Sequence, residues 1–237
     1  MANESITEFG LWQRLIGIIT KPQETLAALA EKPTILGPAV VYCAGNLIFF
    51  LLTAPKLKIF SLISLEKMSK QMTPEQLAQA KSAVALWAVV GGSISIIVMP
   101  FVSWLVVSLL VKFFNMFVGD EAKFKQLYAI SVITSFPLLL GAALRSIIVM
   151  GSPAENFAIV TTSAALALPK GSAGPLFAVL TLVDPFYIWS FVLLAMGSAL
   201  VMKTSVKKTG IFVAVLWALY AAGMAGIALI SPMATGV

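Results

Sequence analysis

Five runs of this sequence are apolar over membrane-crossing length, at about residues 35–54, 83–111, 127–150, 185–202 and 211–230. In the hydrocarbon core of a bilayer roughly 20 such residues, wound as a helix, reach from one side to the other. Only helices or closed barrels satisfy every backbone N–H and C=O in that medium. The runs are continuous and lack the alternation of barrel strands. The predicted fold class is therefore all-α: a polytopic membrane helical bundle with about five transmembrane helices. The second run is longer than one perpendicular crossing requires, so it is expected to tilt, or to bend at Pro100. Pro137 lies near the middle of the third run. Composition agrees: 59% of residues are hydrophobic and 11% charged, against about 25% charged in a soluble domain.

The runs divide the chain into an N-terminal amphipathic segment (1–34), a five-span membrane domain (35–231) and a short tail (232–237). In the first segment Phe9, Trp12, Leu15, Ile16 and Ile19 recur at helical spacing, and Arg14 falls off that face. This predicts an interfacial helix whose Arg14 meets lipid headgroups. The equal alternative is an amphipathic helix packed on the protein's own spans. Lys21-Pro22 ends this helix before residues 25–30 resume it. Glu4, Glu8 and the short apolar core that follows do not form a cleavable signal.

Two connections are long. In the first, Leu57, Phe60 and Ile63 form an apolar face beside Lys56, Lys58, Lys67 and Lys70, and Thr73-Pro74-Glu75-Gln76 reads as a capping box with proline at the first helical position. A helical surface hairpin is expected. The second, residues 151–184, is rich in small residues. Its stretch 157–168 is too short to span and reads as a re-entrant or interfacial piece.

Sixteen Lys+Arg face ten Asp+Glu, a net charge of +6. The basic residues flank the apolar runs, which suits anionic lipid headgroups and not nucleic acid. With the N-terminus inside, nine basic residues fall on the inner side and seven on the outer. The positive-inside rule then orients the N-terminus to the cytoplasm and the C-terminus opposite, and the expected location is the cell (inner) membrane, multi-pass.

The sequence offers no catalytic constellation. Histidine is absent, which removes the commonest general base and metal ligand. The single cysteine, Cys43, lies inside an apolar run, so no disulfide, thiolate cage or cofactor-binding motif is expected. Gly171-Ser172-Ala173-Gly174 lacks the Gly-Lys-Ser/Thr ending of a phosphate loop. The chain is expected not to be an enzyme. Three other groups of residues stand out. Asn46, Ser93, Ser103, Thr134 and Ser135 are polar positions within spans, candidates for a pathway or for hydrogen bonds between helices. Ala214, Ala218, Ala222 and Gly226, at steps of four, form a stripe fit for close helix packing, inside the chain or in a homo-oligomer. Arg145 near the end of the third span and Asp184 at the start of the fourth lie at the same membrane face as a candidate pair. The alternatives are a snorkelling arginine and a helix-capping aspartate.

The order of these features resembles the bacterial branch of the Yip-one domain family, the Ypt/Rab-GTPase-interacting integral membrane proteins. The matching pieces are Arg14-Leu15-Ile16-Gly17-Ile18-Ile19-Thr20-Lys21-Pro22-Gln23-Glu24-Thr25-Leu26, residues 124–137, and Asp184-Pro185-Phe186-Tyr187-Ile188-Trp189. The basic link 203–208 and a closing span with Trp217 complete the pattern. The resemblance implies a five-span fold with a cytoplasmic N-terminus. Eukaryotic members act in vesicle trafficking through a long N-terminal region, whereas here residues 1–34 precede the first span. The expected role is non-enzymatic, organising membrane or partner proteins, with the lipid bilayer and a homo-oligomer or membrane-protein partner as contacts. The alternative is a channel, a lipid-moving protein or a transporter subunit.

Overall fold

The computed structural model describes residues 9–69, 72–118, 122–169, 172 and 174–230, and among these every regular element is helical. The helices are α1 (Leu11–Thr20), α2 (Pro22–Glu31), α3 (Leu36–Met68), α4 (Pro74–Val118), α5 (Phe124–Ile133), α6 (Phe136–Gly151), α7 (Pro175–Thr181), α8 (Pro185–Val201) and α9 (Val206–Ile230). Short 3-10 turns occupy Ala154–Asn156 and Ala164–Ala167. Four stretches are long and apolar enough to cross a membrane, α5 and α6 counting together as one. A fifth is obtained if α7 and α8, bent by 57° at their junction, form one broken span. The expected polytopic helical bundle is therefore present.

Helix lengths depart from the predicted runs. Pro55 and Pro100 both lie inside continuous helices, so α4 runs without a break through the site where a bend was expected. At 45 residues, α4 is about 67 Å long, more than twice the thickness of a hydrocarbon core. The predicted surface hairpin is the continuation of α3 and α4 past their apolar runs. Its turn carries the capping box read from the sequence: Thr73 N–H donates to Gln76 Oε1 (3.0 Å) and Gln76 N–H to Thr73 Oγ1 (3.3 Å). Lys81 pairs with Glu66 at 2.5 Å across the two arms. From Pro55 to Gly92 no described side chain is buried.

The chain forms two compact units, and the long helices contribute segments to each. The first takes the described residues of Met1–Tyr42, Val102–Leu138 and Ile188–Ala218. Here α1 crosses α2 so closely that a Cβ on Gly17 would lie 2.3 Å from Thr25 Oγ1. Leu26 and Ile130 press on Gly197 of α8 in the same way. The second unit takes Cys43–Phe101, Leu139–Tyr187 and the described part of Leu219–Val237. Its close approaches are Phe50 on Gly92 and Phe186 on Gly141.

Arg14 does not meet headgroups as expected. It is 5% exposed and donates from Nε to Phe9 O (2.9 Å) and from Nη1 to Lys32 O (2.8 Å) and Thr34 Oγ1 (2.9 Å). Lys21-Pro22 turns the chain back, so the C-terminal carbonyls of α2 come within the arginine's reach, and a buried guanidinium takes acceptors in place of headgroups. The amphipathic helix is thus packed on its own protein on one side, with Leu15 and Ile18 buried, while Trp12 and Ile16 stay exposed. Hydrogen bonds from a charged donor are worth about 1.5–3 kcal/mol each. Arg14→Ala is therefore expected to destabilise the first unit by roughly 2–4 kcal/mol, and Arg14→Lys, which lacks the planar fork, to recover only part of it. Thermal unfolding in detergent measures both. An unchanged midpoint for Arg14→Ala would show that the latch contributes nothing.

Candidate functional site

The second unit contains the part of the chain least explained by membrane crossing. Beyond Gly151 the backbone leaves the helix and folds as a cap through residues 152–169. Three side chains hold it. Lys56 Nζ donates to Met150 O at 2.7 Å and also to Ser152 O, neutralising the carbonyl end of α6. Arg145 donates from Nε to Val160 O (3.0 Å) and from Nη2 to Phe157 O (3.1 Å), and its guanidinium lies 5.2 Å from the Phe157 ring centre. Asp184 accepts from Thr162 Oγ1 through Oδ2 and from Phe186 N–H through Oδ1 (2.8 Å), so it caps α8 with Pro185 at the first helical position. Phe60 of α3 stacks on Phe157 at 5.9 Å.

The expected direct pairing of Arg145 with Asp184 is not formed; among the described residues no ion pair joins them. The reason is steric order. The segment between them folds inward, so Arg145 meets its carbonyls at 157 and 160 while Asp184 meets Thr162. The arginine does not snorkel, and the aspartate is the helix cap that was the alternative reading. Sequence reasoning missed Thr162 and assigned Lys56 only to surface charge. A lysine at the end of an apolar run, where a neighbouring helix must also end, is the signal for the latter.

Beside this cap is a half-open cavity of about 300 Å³. Ile148, Ile159, Val160, Leu166, Leu168 and Phe177 form its apolar walls, and Ser152, Asn156, Thr161 and Ser172 supply neutral polar groups. Among the described residues no charged side chain lines it. Among the described residues no cluster of His, Cys, Asp or Glu is placed to hold a metal.

The predicted polar positions separate. Thr134 and Ser135 are buried in the first unit where α5 gives way to α6. Pro137 cannot donate to the carbonyl four residues back, and the two hydroxyls return their bonds to Ile130 O (2.8 Å) and Val132 O (2.7 Å). Ser135 Oγ also accepts from Trp104 Nε1 at 3.1 Å, and Ser108 Oγ meets Ser131 Oγ at 3.0 Å. Trp104 and Ser131 were missed, although a buried indole N–H needs an acceptor and Ser131 precedes Ser135 by one turn. Asn46 and Ser93 belong to the second unit, and Ser93 bonds back to Val89 O of its own helix (2.8 Å). Ser103 is exposed. Ala214, Ala218, Ala222 and Gly226 are all exposed, so the described residues leave the stripe on α9 open.

Fold and surface together define a helical integral membrane protein with several crossings. The Yip1 domain matches residues 16–229, nearly the whole chain, and the protein belongs to that family. It is also similar to the membrane protein YknW of Bacillus subtilis (strain 168), with 26% identity over 187 residues, 77% of this chain and 76% of the relative. No solved structure matches it significantly.

The two anchors of the cap predict distinct energetics. Asp184→Asn and Thr162→Val share one hydrogen bond and should couple by about 1 kcal/mol or more in a double-mutant cycle of thermal stability, whereas Arg145→Gln and Asp184→Asn should add to within about 0.5 kcal/mol. Strong coupling of the second pair would restore the direct ion pair.

Proposed function

We propose that this protein is a non-enzymatic organiser of partner proteins in the membrane. The observation that carries this reading is the arm built by α3 and α4. Fourteen helical residues of α3 lie beyond its apolar run, from Pro55 to Met68, about 21 Å of helix, and α4 returns along them from Pro74. Such an arm exceeds what crossing a bilayer needs, and it exposes Ile59 and Met72 together with Lys58, Lys67 and Glu75. Mixed apolar and charged surface on a helical pair suits protein contacts. The outward stripe of α9 adds a face on which a second membrane helix would fit, in a homo-oligomer or a partner.

The proposed location is the cell (inner) membrane, with the N-terminus cytoplasmic and the C-terminus opposite. In support, nine basic residues fall at the span ends assigned to the inner side against seven at the outer. Residues 157–168 contain a 3-10 turn at Ala164–Ala167 and no helix of spanning length, in keeping with five crossings. Cysteines at Ser5 and Thr235 in a Cys43→Ala background should label from opposite sides of intact cells. Labelling from one side would overturn the five-span topology.

The cavity beside residues 152–169 favours a second reading, a channel, lipid-moving protein or transporter subunit. Reconstitution separates the two. The organiser reading expects ion, solute and lipid flux no greater than in empty liposomes, under gradients of either sign. Flux clearly above that background, abolished by Ile159→Trp in the cavity wall, would replace it.

A further inference from the structure

Outside the spans, α1 carries an apolar face that the described residues leave uncovered. Trp12 is 67% exposed and Ile16 63%. They stand one helical turn apart and so share a face, with the half-exposed Ile19 beside them. The opposite face holds Leu15 and Ile18 in the core of the first unit. Arg14, the one cation within α1, is turned inward onto Lys32 O and Thr34 Oγ1. The exposed side is left with two large apolar groups bordered by neutral Gln13 and Thr20.

Charge in the same unit selects what covers this face. Gln126 Nε2 donates to Ala30 O at 2.7 Å and ties the start of α5 to the end of α2, which places exposed Lys123 and Lys125 next to the α1–α2 pair. Leu26 of α2 packs on Gly197 of α8, one turn before the basic link that leads to exposed Lys207 and Lys208. By sequence the first unit holds nine basic residues against six acidic ones. A second copy docked about a two-fold axis would bring these lysines against their equivalents, which opposes self-association there. An anionic lipid surface accepts both the lysines and an indole at headgroup depth.

We propose that the outer face of α1 lies in the headgroup region of an anionic leaflet, with Trp12 and Ile16 inserted and Lys123, Lys125, Lys207 and Lys208 over the lipid phosphates. The Arg14 latch makes this a preformed surface, so docking requires no folding on lipid. The proposal is independent of the arm and of the partner reading above.

The test uses the full chain in nanodiscs of phosphatidylcholine with or without phosphatidylglycerol. A nitroxide is placed at Ile16→Cys, or at Gln23→Cys on the exposed side of α2, each in Cys43→Ala. Collisions with lipid-dissolved oxygen, relative to those with an aqueous nickel chelate, should be severalfold higher at position 16 than at 23, and higher again with phosphatidylglycerol. High salt, and neutral Lys→Gln changes at the four lysines, should remove the phosphatidylglycerol increment. The salt arm needs no variant and so decides the electrostatic part even if the lysine variant misfolds. A position 16 label as water-accessible as that at 23 overturns the proposal. Protection from both reagents overturns it too, because protein would then cover the face. A lipid-exposed label with no dependence on anionic lipid or salt overturns the headgroup selectivity.

Discussion

A chain placed in hydrocarbon must satisfy its main-chain polar groups from within, and in this protein that constraint decides where its scarce cations go. Helices satisfy the backbone along their length, so the demand falls on the points where they stop. Arg14 caps Lys32 O after α2, Lys56 caps Met150 O and Ser152 O at the end of α6, Lys112 reaches Ala122 O before α5, and Arg145 holds Val160 O and Phe157 O. All four donate to carbonyls. A helix C-terminus concentrates unpaired carbonyls and partial negative charge, so a cation is favoured there over a neutral donor. Where no cation is near, at the α5–α6 break, the hydroxyls of Thr134 and Ser135 take the role, and Trp104 completes Ser135.

Much of the fold was legible in sequence for the same reason. Long apolar runs in a bilayer admit one backbone solution, and local signals at run ends have one geometry each: Thr73 to Gln76 formed the reciprocal box, and Asp184 with Pro185 started α8. What sequence could not supply was the destination of a long side chain. Arg14 and Arg145 were both assigned to headgroups or an acidic partner, on the premise that a guanidinium seeks charge. Each instead found main-chain carbonyls delivered by a chain reversal, at Lys21-Pro22 and in residues 152–163. Periodicity reports which face a residue occupies but not what the chain brings back to that face.

The cap shows how such a destination becomes a site. Removing Arg145 from the interior of segment 157–160 would leave two carbonyls without donors in a poorly hydrated place, so the arginine fixes the wall that Val160 presents to the cavity. On the other edge, Asp184 and Thr162 fix the approach to α8. The cavity itself is lined by neutral residues. Among the described residues, charge here fixes the walls and stays outside the lining.

Small residues make the complementary point about sides. At Gly197, Gly141 and Gly92 an added Cβ would come within 2.9 Å of a neighbouring Leu, Ile or Phe side chain, so these glycines set how near one helix lies to the next. Gly223 and Gly226 on α9 meet nothing within 4 Å, and the alanines aligned with Gly226 are exposed. Internal packing therefore does not account for small residues at those positions. In lipid, where apolar side chains gain nothing by leaving the tails, close backbone approach is a main source of helix association. A small-residue stripe turned outward keeps that source available to a helix from outside this chain, as the inward glycines supply it within.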